Sequence, residues 1–210
     1  ASAVGIYGMS LLYLWSGDLS LDALAMKWSE SQSVDPLAGI AVGLMLVAFG
    51  FKVGAAPFHL AAPDAYSGAS SPVAGLLATA SKAMGFVALM RILVSVTMPI
   101  EGEAFWYTAI AVIAVVTMTW GNLAALTSSN PKRMLAYSSV SHAGYMLAGL
   151  AAIGSGLGSE EAIELVLTAI VFHLAVLVIF KFGAFLVLSL LETEGRSHRL
   201  EDLHGLARRD

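Results

Sequence analysis

From Leu165 to Leu191 the chain carries one formally charged side chain, Lys181. A helix that is apolar on every side must be buried, and a stretch of about 20 such residues matches the thickness of a bilayer core. Similar blocks open at Pro36, Pro72, Ala104 and Pro131. Hydrophobic residues make up 58% of the 210 positions and charged residues 12%, whereas soluble domains average about 25% charged. The chain therefore reads as an all-α, polytopic transmembrane bundle.

Six spans are expected, over about 4–15, 36–60, 72–98, 104–126, 131–153 and 159–191, with 192–210 as a connector. The first is short, and the opening "ASAVGIYGMSLLYLW" has neither a basic n-region nor a starting Met; it reads as the truncated edge of something longer, not as a secretory signal. Asp35 before Pro36 and Asn130 before Pro131 have the chemistry of a helix cap followed by proline at the first helical position, and Ser71 before Pro72 repeats the pattern. The last span, from Ser159, would be roughly 48 Å long, more than a hydrocarbon core of about 30 Å, so it should tilt, bend or protrude. If the spans alternate, Lys132, Arg133, Arg196, Arg199, Arg208 and Arg209 share one side, while Lys27 faces the other with Asp18, Asp22, Glu30, Glu101, Glu103, Glu160 and Glu161. The basic side is expected to be cytoplasmic, connector included.

The chain has no cysteine, so it offers no disulfide, no thiolate ligand for an iron–sulfur cluster and no cysteine nucleophile. His59, His142, His173, His198 and His204 fit no zinc spacing, and a net charge of −4 offers nothing to nucleic acid. His198 and His204 fall in the connector and receive no role.

Lys52, Lys82 and Lys181 lie inside the apolar spans. A central lysine facing lipid costs about 2.5–3.5 kcal/mol, so the three are expected to face the bundle interior, with water or polar partners. Lys52 is close enough to its span's end to snorkel instead, Lys82 is a candidate structural lysine held by carbonyls, and Lys181 a candidate lock between helices. Arg91 reads as an interface anchor. A transport role for lysine has a clear basis. An exposed ammonium titrates near 10.4, partial desolvation brings it within reach of physiological pH, and a neighbouring charge then loads or empties it; arginine does neither.

The stretch "FGFKVGAAPFHLAAPDAY" then places Gly54 and Pro57 just after Lys52. Pro57 cannot donate to the Val53 carbonyl, so the second span is expected to break there, either as a simple kink or as a wetted interruption of the kind transporters use. His59 follows the break and is expected near its cytoplasmic mouth. On the fifth span Ser138, Ser141, His142 and Tyr145 fall at helical spacing on one face, so His142 is either a buried, satisfied histidine or a proton relay. His173 precedes Lys181 by eight residues, about 80° around the helix, so the two are expected to share a cavity without touching.

"FGFKVGAAPFHLAAPDAYSGASSPVAGLLATASK" and "NPKRMLAYSSVSHAGYMLAG" resemble the signatures of the antiporter-like membrane subunits of complex I, the proton-pumping NADH:quinone oxidoreductase, and within them the subunit N branch. The resemblance is specific from about residue 40 to 153 and weaker through "LEDLHGLARRD". It implies that Lys52 is the lysine beside a broken helix, that Lys82 is the central lysine of the next helix, and that both belong to a hydrated line of charged groups along with His59 and His142. It implies a fourteen-helix subunit of which this is the middle, with the glutamate that pairs with Lys52 before Ala1 and a second broken helix after Asp210. It also implies that NAD, flavin, iron–sulfur clusters and quinone are bound by partner subunits and none by this chain, and that the partners are other membrane subunits of complex I. Lys181 departs from the subunit N pattern, which usually lacks a lysine there; the sister subunits and multisubunit cation/proton antiporters often carry one after a histidine at shorter spacing, so "FHLAVLVIFKFGAF" is intermediate.

Overall fold

A computed structural model describes residues 1–31, 35–94, 104–154, 160–193, 195 and 199–204. Every element among them is helical. In chain order they are α1 (Ser2–Ser16), α2 (Leu21–Glu30), α3 (Pro36–Val53), α4 (Ala62–Gly68), α5 (Ser71–Leu76), a π turn (Leu77–Ser81), α6 (Lys82–Ile92), α7 (Ala104–Leu126), α8 (Pro131–Ile153), α9 (Glu160–Thr193) and a short 3-10 turn (Leu200–Leu203). Arg196, His198, Arg208, Arg209, Glu101, Glu103 and Ser159, which carry part of the orientation and connector expectations, lie outside the described residues.

Four stretches are long and apolar enough to cross a membrane: Pro36–Val53, Ser71–Ile92, Trp106–Leu126 and Glu160–Thr193. The serines and histidine of α8 dilute its apolarity, and it is sheathed instead by α4, α7 and α9. Two short helices, α2 and α4, were not anticipated. The Ser20 hydroxyl accepts from the Ala23 N–H at the start of α2, whose Leu24 and Trp28 pack against Leu12 and Val42.

Local chemistry sets the helix ends. The Asp35 carboxylate accepts from the Leu37 N–H at 2.8 Å, and the Asn130 side-chain oxygen from the Lys132 and Arg133 N–H groups at 2.9 and 3.3 Å. Ser71 is not the cap expected of it. It is the first residue of α5, its own N–H donates to the Glu192 carboxylate at 3.3 Å, and its hydroxyl is buried. Glu192 also pairs with Lys132, whose amine reaches the Ala69 carbonyl at 2.8 Å. The basic end is thus tied across α5, α8 and α9.

The π turn explains a spacing that an ideal helix would not keep on one face. Ala74, Ala78, Lys82, Phe86 and Met90 are all buried at strict four-residue steps. On a regular α-helix each such step drifts by about 40°; the wider π turn between Ala74 and Lys82 offsets part of that drift. The Thr79 hydroxyl donates to the Gly75 carbonyl at 2.7 Å inside it. Lys82 therefore emerges on the same face as the alanines before it.

The main core joins α3, α6, α7, α8 and α9 through Val53, Phe86, Ile110, Met146, Leu150 and Ile170. Within it, α7 and α8 meet backbone to backbone. A Cβ on Gly144 would lie 2.6 Å from the Met118 nitrogen, and one on Gly121 would lie 2.6 Å from the Ser141 nitrogen. Small residues permit this approach, the usual route to tight helix pairs where lipid supplies no hydrophobic drive.

Candidate functional site

The break ends α3 outright. Gly54 adopts φ 75°, ψ 39°, a left-handed conformation that glycine enters without a Cβ penalty. Its N–H donates to the Phe51 carbonyl at 3.3 Å and the Ala55 N–H to the Gly50 carbonyl at 2.8 Å, the bond pair of a Schellman cap. The next N–H, on Ala56, donates to the Thr117 hydroxyl of α7 at 2.9 Å, and the Ala56–Pro57 peptide is cis. Pro57 thus falls after the helix has already stopped, and the chain resumes as α4.

The lysine beside the glycine cap is Lys82. A Cβ on Gly54 would lie 3.5 Å from the Lys82 amine, so the C-terminal end of α3, the negative end of its dipole, sits against that ammonium. Lys82 is 3% exposed; its amine donates to the Ser139 carbonyl at 2.6 Å and accompanies the Ser139 hydroxyl at 2.8 Å. Lys181 enters α8 from α9. It is 0% exposed, with its amine 3.2 Å from the Leu135 carbonyl, 2.7 Å from the Ser138 hydroxyl and 5.4 Å from the Phe180 ring centre. One turn on, His142 Nδ1 and His173 Nε2 stand 3.1 Å apart, so one ring donates and the other accepts. His173 and Lys181 therefore do not touch each other but meet α8 at successive turns.

Lys52 corrects an expectation. It is exposed on the outer face of this chain, not interior, with its stem laid on α6 where a Cβ on Gly85 would come within 2.8 Å of the Lys52 Cγ. Helix phase is not the reason, since Lys52 falls on the same face of α3 as the buried Ala38, Ala41 and Met45; among the described residues, that face is left open at the level of Lys52. Among the described residues, none of Lys52, Lys82 and Lys181 belongs to an ion pair; the pairs are Lys132–Glu192, Arg133–Asp64 and Arg199–Glu201.

His59 is buried, 3% exposed, with its ring edge-on to Trp120 at 5.9 Å and, among the described residues, no hydrogen-bond partner for either ring nitrogen. The expected single stripe on α8 divides. Ser138 faces Lys181, His142 faces His173, Tyr145 bonds Asn122 of α7 at 3.0 Å, and the Ser141 hydroxyl turns back to the Ser138 carbonyl at 2.9 Å. Ser139 and Thr117 were missed. Ser139 lies one residue off the stripe, and only the approach of α6 from a second side shows its use.

This arrangement is a set of proton-binding groups strung along one helix inside an apolar bundle. The pattern described as "NADH:quinone oxidoreductase/Mrp antiporter, TM" matches residues 1–210. The chain belongs to that family. It is 43% identical to NADH-quinone oxidoreductase subunit N of Heliobacterium modesticaldum over 100% of this chain and 41% of that protein, and 42% identical to the subunit N of Salinibacter ruber over 96% and 38%. It thus spans about two fifths of the length of these relatives. Among solved structures, it is similar to a chain of respiratory complex I from Thermus thermophilus with bound aureothin, with TM-score 0.74 and 35% identity over 100% of this chain and 41% of that one. It is also similar to a chain of the Mrp complex from Dietzia sp. DQ12-45-1b, with TM-score 0.75 and 26% identity over 91% and 33%. Family membership and the four apolar crossings make this a multi-pass membrane chain.

Proposed function

We propose that the chain is part of a proton-translocating membrane subunit of an NADH:quinone oxidoreductase of the subunit N kind, in a bacterial or archaeal cell membrane. The observation that carries this reading is the seating of Lys82, Lys181 and His173 on one helix, at Ser139, Ser138 and His142. Three groups able to hold a proton, brought to consecutive turns of α8 from α6 and α9, are a line along which charge can pass. A helix lock needs one such group, not three.

In this reading Lys82 is the central load site. The α3 terminus and Ser139 hold its amine, and His59, buried beyond the break, takes part through the space around it. Lys181 and the His142–His173 pair continue the line. Lys52 completes it on the outer face, where an amine requires a polar partner from elsewhere in the longer subunit; the resemblance supplies a glutamate. Gly54 and Pro57 keep the backbone open beside Lys82. Electron transfer in partner subunits, which bind NAD, flavin, iron–sulfur clusters and quinone, shifts the charges along the line; this chain itself holds no redox group. Other membrane subunits of the complex flank it.

The test is Lys82→Ala in the assembled complex. Proton pumping coupled to NADH oxidation should be lost in sealed vesicles while the complex still forms; full pumping overturns the reading. A second reading is a subunit of a multisubunit cation/proton antiporter or of a hydrogenase-linked pump. The buried Lys181 and the likeness to the Mrp complex chain favour it. The subunits that co-purify with the full-length protein decide between the two.

A further inference from the structure

Four lysines in this chain have their amine partners in view, and they fall into two classes. Lys27 donates to the Trp15 carbonyl, and Lys132 to the Ala69 carbonyl and the Glu192 carboxylate. Those partners only accept. Lys82 and Lys181 each have one backbone carbonyl and one serine hydroxyl, at 2.6 and 2.8 Å for Lys82 and at 3.2 and 2.7 Å for Lys181. The two hydroxyls are on adjacent residues, Ser139 and Ser138.

The difference is chemical. An ammonium has three donors and no acceptor, so a carbonyl suits it as well as a hydroxyl does. A neutral amine also has a lone pair, which in a dry site is left orphaned unless a donor faces it. A carbonyl cannot turn round to donate. A hydroxyl can: it accepts from the ammonium, and after the proton leaves it rotates to donate to the amine nitrogen. A permanently charged lysine uses only the lone pairs of such a partner, whereas a lysine that empties also uses its proton.

We propose that Ser138 and Ser139 are positioning residues that satisfy Lys181 and Lys82 in both protonation states, making these two buried lysines reloadable. This rests on the proton-translocation reading and assigns to two hydroxyls a role that reading leaves open. No bond to the serine oxygens forms or breaks; each hydroxyl keeps its proton and changes only its direction. The titratable groups facing Lys82 are His59 beyond the break, His142 of α8 and Lys181, while Lys52 of α3 lays only its stem on Gly85; those facing Lys181 are Lys82 and, on α8, His142, which also carries the contact to His173.

The experiment compares Ser138→Ala, Ser139→Ala and Ser141→Ala in the full-length subunit within the whole complex. It measures proton flux driven by NADH oxidation in sealed vesicles across pH, with uncoupled NADH oxidation scoring assembly. Losing the hydroxyl removes an acceptor from the ammonium and a donor from the amine. The charge-assisted bond is the stronger by roughly twofold, so the charged form loses more. The alkaline limb of the flux profile should therefore move down by about one pH unit in Ser138→Ala and Ser139→Ala. Ser138→Thr, which keeps the hydroxyl at a half-buried position, should restore it. Ser141→Ala should leave the profile in place, because that hydroxyl donates to the Ser138 carbonyl and meets no lysine.

Profiles for Ser138→Ala and Ser139→Ala that superimpose on the unmodified one overturn the proposal. If Ser139→Ala does not assemble, Ser138→Ala carries the test on its own. The two levels fail separately. Full pumping by Lys82→Ala removes the transport reading, whereas an inactive Lys82→Ala beside unshifted serine variants removes only the role of the hydroxyls.

Discussion

The two faces of α8 are built on opposite principles. Toward α7 the contact is dry and backbone-close, with Gly144 set on Met118 and Ala114, and Gly121 set on Tyr137 and Ser141. Toward α6 and α9 the same helix presents Ser138, Ser139 and His142 to lysines and a histidine. The first face has one way to fit; the second carries side chains that can each hold a proton, and the proposed transport rests on those. The difference teaches how a bundle can hold movable charge without loosening. Hydrogen bonds a few tenths of an ångström out of place would uncouple the polar face, and the glycine seam behind it keeps α8 from shifting. Three substitutions, taken from the largest expected effect to the smallest, break or sharpen this contrast.

Gly144→Leu attacks the dry face. Its Cβ would fall 2.6 Å from the Met118 nitrogen and 2.9 Å from the Ala114 carbonyl oxygen, both backbone atoms that cannot move aside alone. Overpacking typically costs about 1–3 kcal/mol where side chains can yield; here the helices themselves must part. The expected result is loss of the assembled subunit, read on a native gel of the solubilised complex. Normal assembly with normal coupling would show that the seam is not what holds the polar face in place.

The seam and the polar face were unequally legible in the sequence. Apolar blocks fix the all-helical membrane architecture because their signal is local and long. Asp35–Pro36 and Asn130–Pro131 announce helix starts because a cap is complete within four residues. The lysines and histidines stand out because each is costly in an apolar span. Their partners do not stand out. A periodicity argument on α8 assumes one polar face, but α6 and α9 approach from two sides, so Ser139 lay off the stripe and Tyr145 was turned toward Asn122 instead. The π turn, which brings Lys82 onto the buried face, has no composition of its own in "LATAS". The exposure of Lys52 depends on where neighbouring helices stop covering α3, because by phase alone it falls with the buried Ala38, Ala41 and Met45.

Thr117→Val probes where the two regimes join. Thr117 lies on α7 beside the seam residue Met118, is fully buried, and accepts the Ala56 N–H at 2.9 Å. Valine keeps the volume and leaves that buried donor unpaired, a loss of about 1–3 kcal/mol. The complex should still assemble, with a lowered midpoint of thermal inactivation in detergent. Coupled proton flux should fall more than uncoupled NADH oxidation, because the break beside Lys82 loses its tether. An unchanged ratio of the two would mean that the break needs no anchor on α7.

Arg133→Ala should do least, and its contrast with Lys132 shows why. Both side chains belong to the first turn of α8, and both are ion-paired, Arg133 to Asp64 at 2.9 Å and Lys132 to Glu192. The Arg133–Asp64 side chains are 43% and 72% exposed, those of Lys132 and Glu192 only 12% and 24%. An exposed pair is screened and is worth about 0–1 kcal/mol, and Asp64 without Arg133 is simply hydrated. Removing Lys132 strands a half-covered carboxylate that also receives the Ser71 N–H, and frees the Ala69 carbonyl. Thermal inactivation of Arg133→Ala should therefore track the unmodified complex within error, while Lys132→Ala falls below it. Equal losses would place the grip on α8 at its outermost charge instead of its glycine seam, and the division between a fixed and a movable face would have to be redrawn.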